Sequence, residues 1–463
     1  MGHEATDRVD RGARGALTAP ALAEVPTSST AQPSPPAEPI QPIAAAPSTE
    51  PAEAAADDWG AFAATAAAAP TKIFETRFYG YIDTYFESSF LVPDGIDAAG
   101  GIQRQDPQYG YDVLNLHAMV QGSIVGKYRY FLNLAARTLG SAGKDVALSV
   151  RNAWVEVPIL SQHLQVRLGK TYRRFGLYNE LLDAVPTFIG IEPPEMFDPD
   201  HLMLTRTTNL MLHGTFQPAD AWTLSWALTT GNDERASTAV PVGADLRANW
   251  NQVFTFGASF YWSGGAAEPT RAVGEGSPTG GVINWMAEDH FWVGDVFAEV
   301  RTAGWILQAE AAYARHDAMR DPAAVALLAG AGLDARQRAR FFVNGDPTQG
   351  TTNPDVTYDV FTTYFRGGYE LQLADMTLTP YVQFDYYSNP ETIRAKSFGG
   401  DGDEAGMSEN GQFSKVTLGA VLRPVEQVAL KLDGGAHVYE YAGKTDLYTE
   451  VRLSFSYLWD LGI

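Results

Sequence analysis

An antiparallel transmembrane β-barrel of about 16 strands is the fold this sequence predicts, and three observations predict it. Apolar and polar residues alternate in run after run from residue 72 onward. The first of these runs far exceeds the five or six residues of an ordinary soluble strand. The connections between runs sort into short turns and long loops. Period-two alternation gives a ribbon one greasy and one wet face, which suits a strand standing between lipid and a water-filled lumen.

The chain begins with a leader, residues 1–70, rich in Ala, Pro, Ser and Thr and ending in AFAATAAAAP. Such a composition buries too little apolar surface to offset chain entropy, so it reads as a disordered leader or periplasmic tether. Residues 1–26 carry scattered charges and no apolar h-region of the kind a secretory signal has. The barrel is expected over 71–463. Its first strand, KIFETRFYGYIDTYFESSF (72–90), sets Phe74, Phe78, Ile82 and Phe86 against Arg77, Tyr79, Tyr81, Asp83 and Tyr85.

The same opposition recurs along the chain. Leu114, Leu116, Ala118 and Val120 oppose Asn115, His117 and Gln121; Tyr130, Leu132 and Leu134 oppose Arg129, Asn133 and Arg137. DVALSVRNAWVEV (145–157) supplies a further strand, and then Leu164, Val166 and Leu168 oppose Gln165, Arg167 and Thr171. Weaker runs occupy about 205–217, 221–230, 250–263, 290–302, 304–315, 355–373, 411–423 and 427–440. MTLTPYVQFDYYS (376–388) and DLYTEVRLSFSYL (446–458) alternate clearly. These are 14 or 15 runs, and an even strand count near 16 follows from barrel closure. A barrel of that size is too wide for its own side chains to fill. Short turns are expected at 126–127, 218–221, 303–304, 373–375 and 424–427, and long loops at 91–108, 174–204, 231–249, 264–289, 316–354 and 388–410. Trp222, Trp262, Trp292, Trp305, Tyr457 and Trp459 lie near strand ends, where interfacial girdles form.

Composition narrows function. With 55 Asp+Glu against 33 Lys+Arg and a net charge of -22, the chain is no general nucleic-acid binder. The absence of cysteine removes disulfides, thiolate metal sites and thiol catalysis. There is no HExxH, GxSxG, P-loop or strand-following GxGxxG, so no enzyme is expected; His213, beside Asn209 and Thr215, is a weak exception. No cofactor or metal is expected either. Asp401, Asp403 and Glu404 lack calcium-loop spacing, and DPAAVALLAGAGLDARQRARFF (321–342) reads as a short amphipathic helix in the longest loop.

VRLGKTYRRFGLYNELLDAVPTFIG (166–190) resembles a segment of the phosphate-selective porin O/P family, through Gly169, Lys170, Phe175, Gly176 and Leu177 and, less tightly, Asp183 and Phe188. The resemblance implies a trimeric porin of about 16 strands whose loop 174–203 folds into the channel. The chain departs from the family's Phe-x-Glu-Arg, reading Phe188, Ile189, Gly190, Ile191 instead.

Selectivity in a pore comes from charge at its narrowest point. Arg77, Arg129, Arg137, Arg151, Arg167, Lys170, Arg173 and Arg174 are the candidate pore-lining cations, with Lys170 on the parity of the apolar set. Glu180, Asp183, Glu192, Glu195 and Asp198 are the candidate acids of the constriction loop. A basic wall facing an acidic loop would set up a transverse field; alternatively these charges pair with one another. The sequence thus points to an outer-membrane porin, a homotrimer among lipid and lipopolysaccharide, passing small hydrophilic solutes, possible anions such as phosphate included. A soluble β-rich carbohydrate-binding protein and a mainly structural outer-membrane anchor are the alternatives.

Overall fold

In a computed structural model the described residues are 73–96, 99–137, 147–197, 202, 206–232, 239–266, 286–327, 335–349, 351–391, 408, 410–441 and 443–461. The 1–70 leader, the 401–404 acids and Asp198 lie outside them. The alternating runs form strands β1 (Phe74–Phe90), β2 (Gln108–Ile124), β3 (Tyr128–Arg137), β4 (Ala147–Leu160) and β5 (Leu164–Tyr172). After the long loop come β6 (Arg206–Ala219), β7 (Trp222–Gly231), β8 (Val242–Trp250), β9 (Phe254–Ala266), β10 (Met286–Thr302) and β11 (Trp305–Arg320). The last five are β12 (Asp355–Tyr369), β13 (Met376–Ser388), β14 (Gln412–Val425), β15 (Val428–Tyr441) and β16 (Lys444–Leu461). Leu371–Leu373 continues β12 past Glu370 on the same neighbour, β13.

Each strand pairs antiparallel with the next, and β1 pairs with β16 from Phe78↔Leu461 to Phe90↔Thr449, so the sheet closes into a 16-stave barrel. Closure leaves no edge strand, which is what a sheet in hydrocarbon requires. The strand missed by sequence reading is β8, placed in an expected loop at 231–249. Its outward set is Val242, Ala244, Leu246, Ala248 and Trp250, and the two alanines dilute the apolar signal that marks its neighbours. The expected loops at 264–289 and 316–354 shorten because β9, β10 and β11 run on into them, and the one at 91–108 carries a small hairpin of Pro93–Ile96 and Ile102–Arg104.

The tight turns gather at one end of the barrel, the periplasmic end in this architecture. The opposite end carries the longer connections, apart from a tight turn between β15 and β16. There the helical segment is two short helices, α1 (Pro322–Leu327) and α2 (Ala335–Phe341). Phe341 and its neighbour Phe342 insert into a buried aromatic cluster with Phe291, Tyr358 and Tyr387. Arg320 fixes this cap by a two-point pair with Glu391, at 2.9 and 2.8 Å.

The outer face is apolar, with Val296, Leu418 and Leu432 each more than half exposed. Trp222, Trp250 and Trp305 stand outward near the turn end. Trp262, twelve residues along from Trp250, pairs with Trp292 toward the loop end. Two aromatic rings around an apolar band are the marks of a barrel in a bilayer, and this is an outer-membrane barrel with no helix long and apolar enough to span, among the described residues.

Leu418 lies midway along β14 and faces out. Leu418→Arg is expected to cost about 2–4 kcal/mol in lipid-vesicle unfolding titrations. A cost within about 0.5 kcal/mol, the usual effect at a watery surface, would contradict lipid exposure.

Candidate functional site

Inward-facing residues are polar on almost every strand, and the chain after β5 turns into the space they enclose. Gly176 begins the turn at φ +58, and a Cβ there would lie 1.8 Å from Glu310 Oε1. Only glycine fits both the left-handed backbone and that close approach. Three short 3-10 turns then carry the loop across the lumen at Asn179–Leu181, Val185–Thr187 and Glu195–Phe197.

The loop is fastened around the wall. On the β3–β5 side, Asp183 accepts from Asn133 (3.1 Å), Asn152 (2.9 Å) and the Tyr172 hydroxyl (3.2 Å), and pairs with Arg151 at 3.3 Å. A bulge makes this possible. Asn133 pairs with Asn152 but Leu134 with Val150, so Arg151 is the extra residue; a bulge re-aims side chains, and Arg151 and Asn152 both reach Asp183. Glu180 meets Arg174 at 3.0 Å, Arg247 at 3.6 Å and Arg167 at 3.9 Å.

On the β9–β11 wall, Gly176 N–H donates to Ser259 (2.9 Å), Leu177 N–H to Glu310 (3.2 Å) and the Tyr178 hydroxyl to Gln308 (2.6 Å). At the far side, Ile191 N–H donates to Asp433 (3.3 Å) and Glu195 N–H to Asp385 (3.1 Å). Glu192 pairs with Arg452 and Lys415, and Glu195 with Lys415.

These contacts fill the barrel's middle. Tyr81, His117 and Asn133 on the wall are at most 2 % exposed, and Val185 of the loop packs on Tyr81, Met119 and Phe131. A cavity between Glu192, Tyr381, Lys415, Thr417, Asp433 and Arg452 has a volume of about 10 Å³, room for roughly one water. Side chains alone do not fill a barrel this wide; the loop backbone supplies the rest.

The predicted site residues divide by place. Arg151, Arg167 and Arg174 meet the loop acids; Arg167 also pairs with Glu156 at 2.9 Å and lies over the Trp154 ring at 4.2 Å. Arg129 joins Glu156 and Gln165 nearer the turn end, and His213 completes that group at 2.8 Å from Glu156. Arg77 pairs with Asp460 (2.7 Å) at the turn end, away from the loop. Arg173 is buried, donating to the Asn232 carbonyl (2.6 Å) over the Tyr261 ring, so it braces the loop base. Lys170 stands outward and exposed beside Leu168, as its parity requires, and is not a lumen group. Arg137 ends β3, its side chain outside the described residues.

The loop acids do not face basic groups across an open gap. Buried charges need close partners to offset desolvation, and they have them. Sequence reading missed Arg247, Arg366, Lys415, Arg423 and Lys431 as site residues and left Arg452 as one lumen charge among many. Alternation places each inward, but which wall the loop meets is set by the closed barrel. Among the described residues no group of His, Asp or Glu is arranged to hold a metal.

The closed 16-stave antiparallel barrel is a fold shared with outer-membrane porins and channels of known structure. An anion-selective porin from Comamonas acidovorans is similar at TM-score 0.50 and 12 % identity, over 83 % of this chain and all of that one. The outer membrane channel DcaP of Acinetobacter baumannii is similar at TM-score 0.49 and 10 % identity, over 85 % and 100 %. At such identity the likeness concerns the fold alone. No protein-family model matches the chain, the phosphate-selective porins included, and no curated protein matches it in sequence.

Burial alone would raise the Glu180 carboxyl, but Arg174, Arg247 and Arg167 hold it at about 2, below the roughly 4.3 of a free glutamate. A folded-state value below the unfolded one stabilises fully above that unfolded value and is lost as pH falls toward the folded one. Resistance to unfolding, read by heat-modifiable gel migration, is expected to fall between about pH 4.3 and pH 2. Glu180→Gln should flatten that part of the profile; an unchanged profile would remove Glu180 as an anchor.

Proposed function

We propose that the protein is an outer-membrane porin, passing small hydrophilic solutes by diffusion past the loop at 173–197. The observation that carries this reading is the loop itself, folded within a closed barrel and fastened to a polar inner wall by ion pairs rather than by an apolar core alone. A loop so placed sieves by size, and the wall charges filter by sign. An anion preference, for solutes such as phosphate, is the finer part of the proposal; it is supported by inward Arg366, Arg423 and Lys431, which carry no carboxylate ion pair among the described residues. Assembly as a homotrimer among lipopolysaccharide belongs to the same proposal.

The filled middle of the lumen favours a second reading, a mainly structural barrel that conducts little. Purified protein in planar bilayers under a salt gradient separates the two. The porin reading expects discrete conductance and an anion-favouring reversal potential, weakened by Lys431→Met. A cation-favouring potential would retire the anion preference, and silent bilayers from correctly folded protein would favour the structural barrel.

A further inference from the structure

Three lumen cations differ from the paired ones. Lys431, 1 % exposed, donates to the carbonyls of Val185 (2.6 Å) and Gly190 (2.9 Å). Arg423 donates to the Pro186 carbonyl at 2.9 Å. Arg366 donates to the Glu192 carbonyl at 3.2 Å, with the Tyr178 hydroxyl and Gln383 as its other partners, each at 2.6 Å. Among the described residues none of the three forms an ion pair with a carboxylate.

The acids that act on Lys431 and Arg366 are engaged elsewhere, and Glu370, the acid that acts on Arg423, forms no ion pair with it among the described residues. Asp83 accepts from Ser454 (2.9 Å) and Ser456; Asp433 accepts from Tyr381 (2.7 Å) and Arg452 (3.0 Å). Asp385 accepts from Gln383 (2.6 Å) and the Glu195 N–H (3.1 Å). Neutral carbonyls therefore stand where a counter-charge would otherwise be.

All four carbonyls belong to residues 185–192, the stretch that crosses to the β12–β15 wall. A buried cation with neutral partners keeps much of its desolvation cost. An oxyanion offers shorter, charge-assisted bonds, about twice as strong as neutral ones. Arg423, two residues from the end of β14 and only half-buried, is the member nearest the turn-end opening. Lys431 pairs across the sheet with Val421, one inward step deeper.

We propose that Arg366, Arg423 and Lys431 form an anion-responsive latch. As the structure stands they hold residues 185–192 by their carbonyl oxygens, and a small oxyanion entering from the turn end replaces those carbonyls and loosens the 185–190 part of the loop from the wall, while Glu192 and Glu195 stay paired with Lys415 and Arg452. The channel reading enters only in what that release does, which is to widen the passage.

The chain has no cysteine, so Ile189→Cys introduces a single thiol. That position is 7 % exposed and packs against Ile306, Val421 and Ala429. The measurement is the rate at which a water-soluble methanethiosulfonate labels this thiol in refolded full-length protein, with and without inorganic phosphate at constant ionic strength. Phosphate is expected to speed labelling about tenfold, a usual size for coupling between a ligand and a conformational state. Adding Lys431→Met, which keeps the side-chain length, should make labelling fast without phosphate and indifferent to it. Arg423→Gln serves the same purpose if Lys431→Met does not fold, with heat-modifiable migration as the check. Labelling unmoved by phosphate, or still slow in the folded latch variant, overturns the proposal. Phosphate-accelerated labelling without conductance keeps the latch and removes the channel reading. Conductance with labelling indifferent to phosphate does the reverse.

Discussion

A strand in hydrocarbon has no water for its N–H and C=O groups, so a sheet that crosses a bilayer must close on itself. Everything else in this structure follows from that closure. The pairing of β1 with β16 satisfies the last two edges and divides every strand into an outer and an inner set. Once Leu418 and Leu432 are committed to lipid, Lys415, Lys431 and Asp433 have nowhere to go but inward.

Closure at 16 staves creates a second demand, because the enclosed space exceeds what inward side chains can fill. Here the backbone between β5 and β6 meets it. A loop led into a barrel brings unsatisfied main-chain groups with it, and the wall answers with matching partners. Ser259 and Glu310 receive its N–H groups near Gly176, while Lys431 and Arg423 donate to its carbonyls at 185–190. The lumen wall is polar because it is fitted to this backbone as well as to solvent.

Electrostatics inside the barrel fall into two kinds. Glu180 and Asp183 are gathered with arginines on the β4–β8 side, and Glu192 and Glu195 with Lys415 and Arg452 opposite. Such pairs offset one another's desolvation and hold geometry more than they add stability. The three cations on loop carbonyls are of the other kind, holding position without cancelling charge.

The barrel was legible in the sequence because its periodicity is local: a residue's face depends only on parity along its own strand. That sufficed for the strand pattern of β1; at Lys170 parity already pointed outward, against its place among the candidate pore-lining cations, and the structure follows parity. Parity failed at β8, where Ala244 and Ala248 weaken the contrast that it needs, and it gave no sign of the bulge that lets Arg151 and Asn152 both reach Asp183. Nor does parity say which inward groups meet. Asp183 finds Asn133, fifty residues earlier, and Glu192 finds Arg452, some 260 residues later. The amino-acid sequence by itself determined the strand faces and the polar lumen, since these depend on near neighbours. Only the closed tertiary structure decided which charges are paired and which hold the loop, since closure alone brings β4 and β16 to the same short stretch of chain.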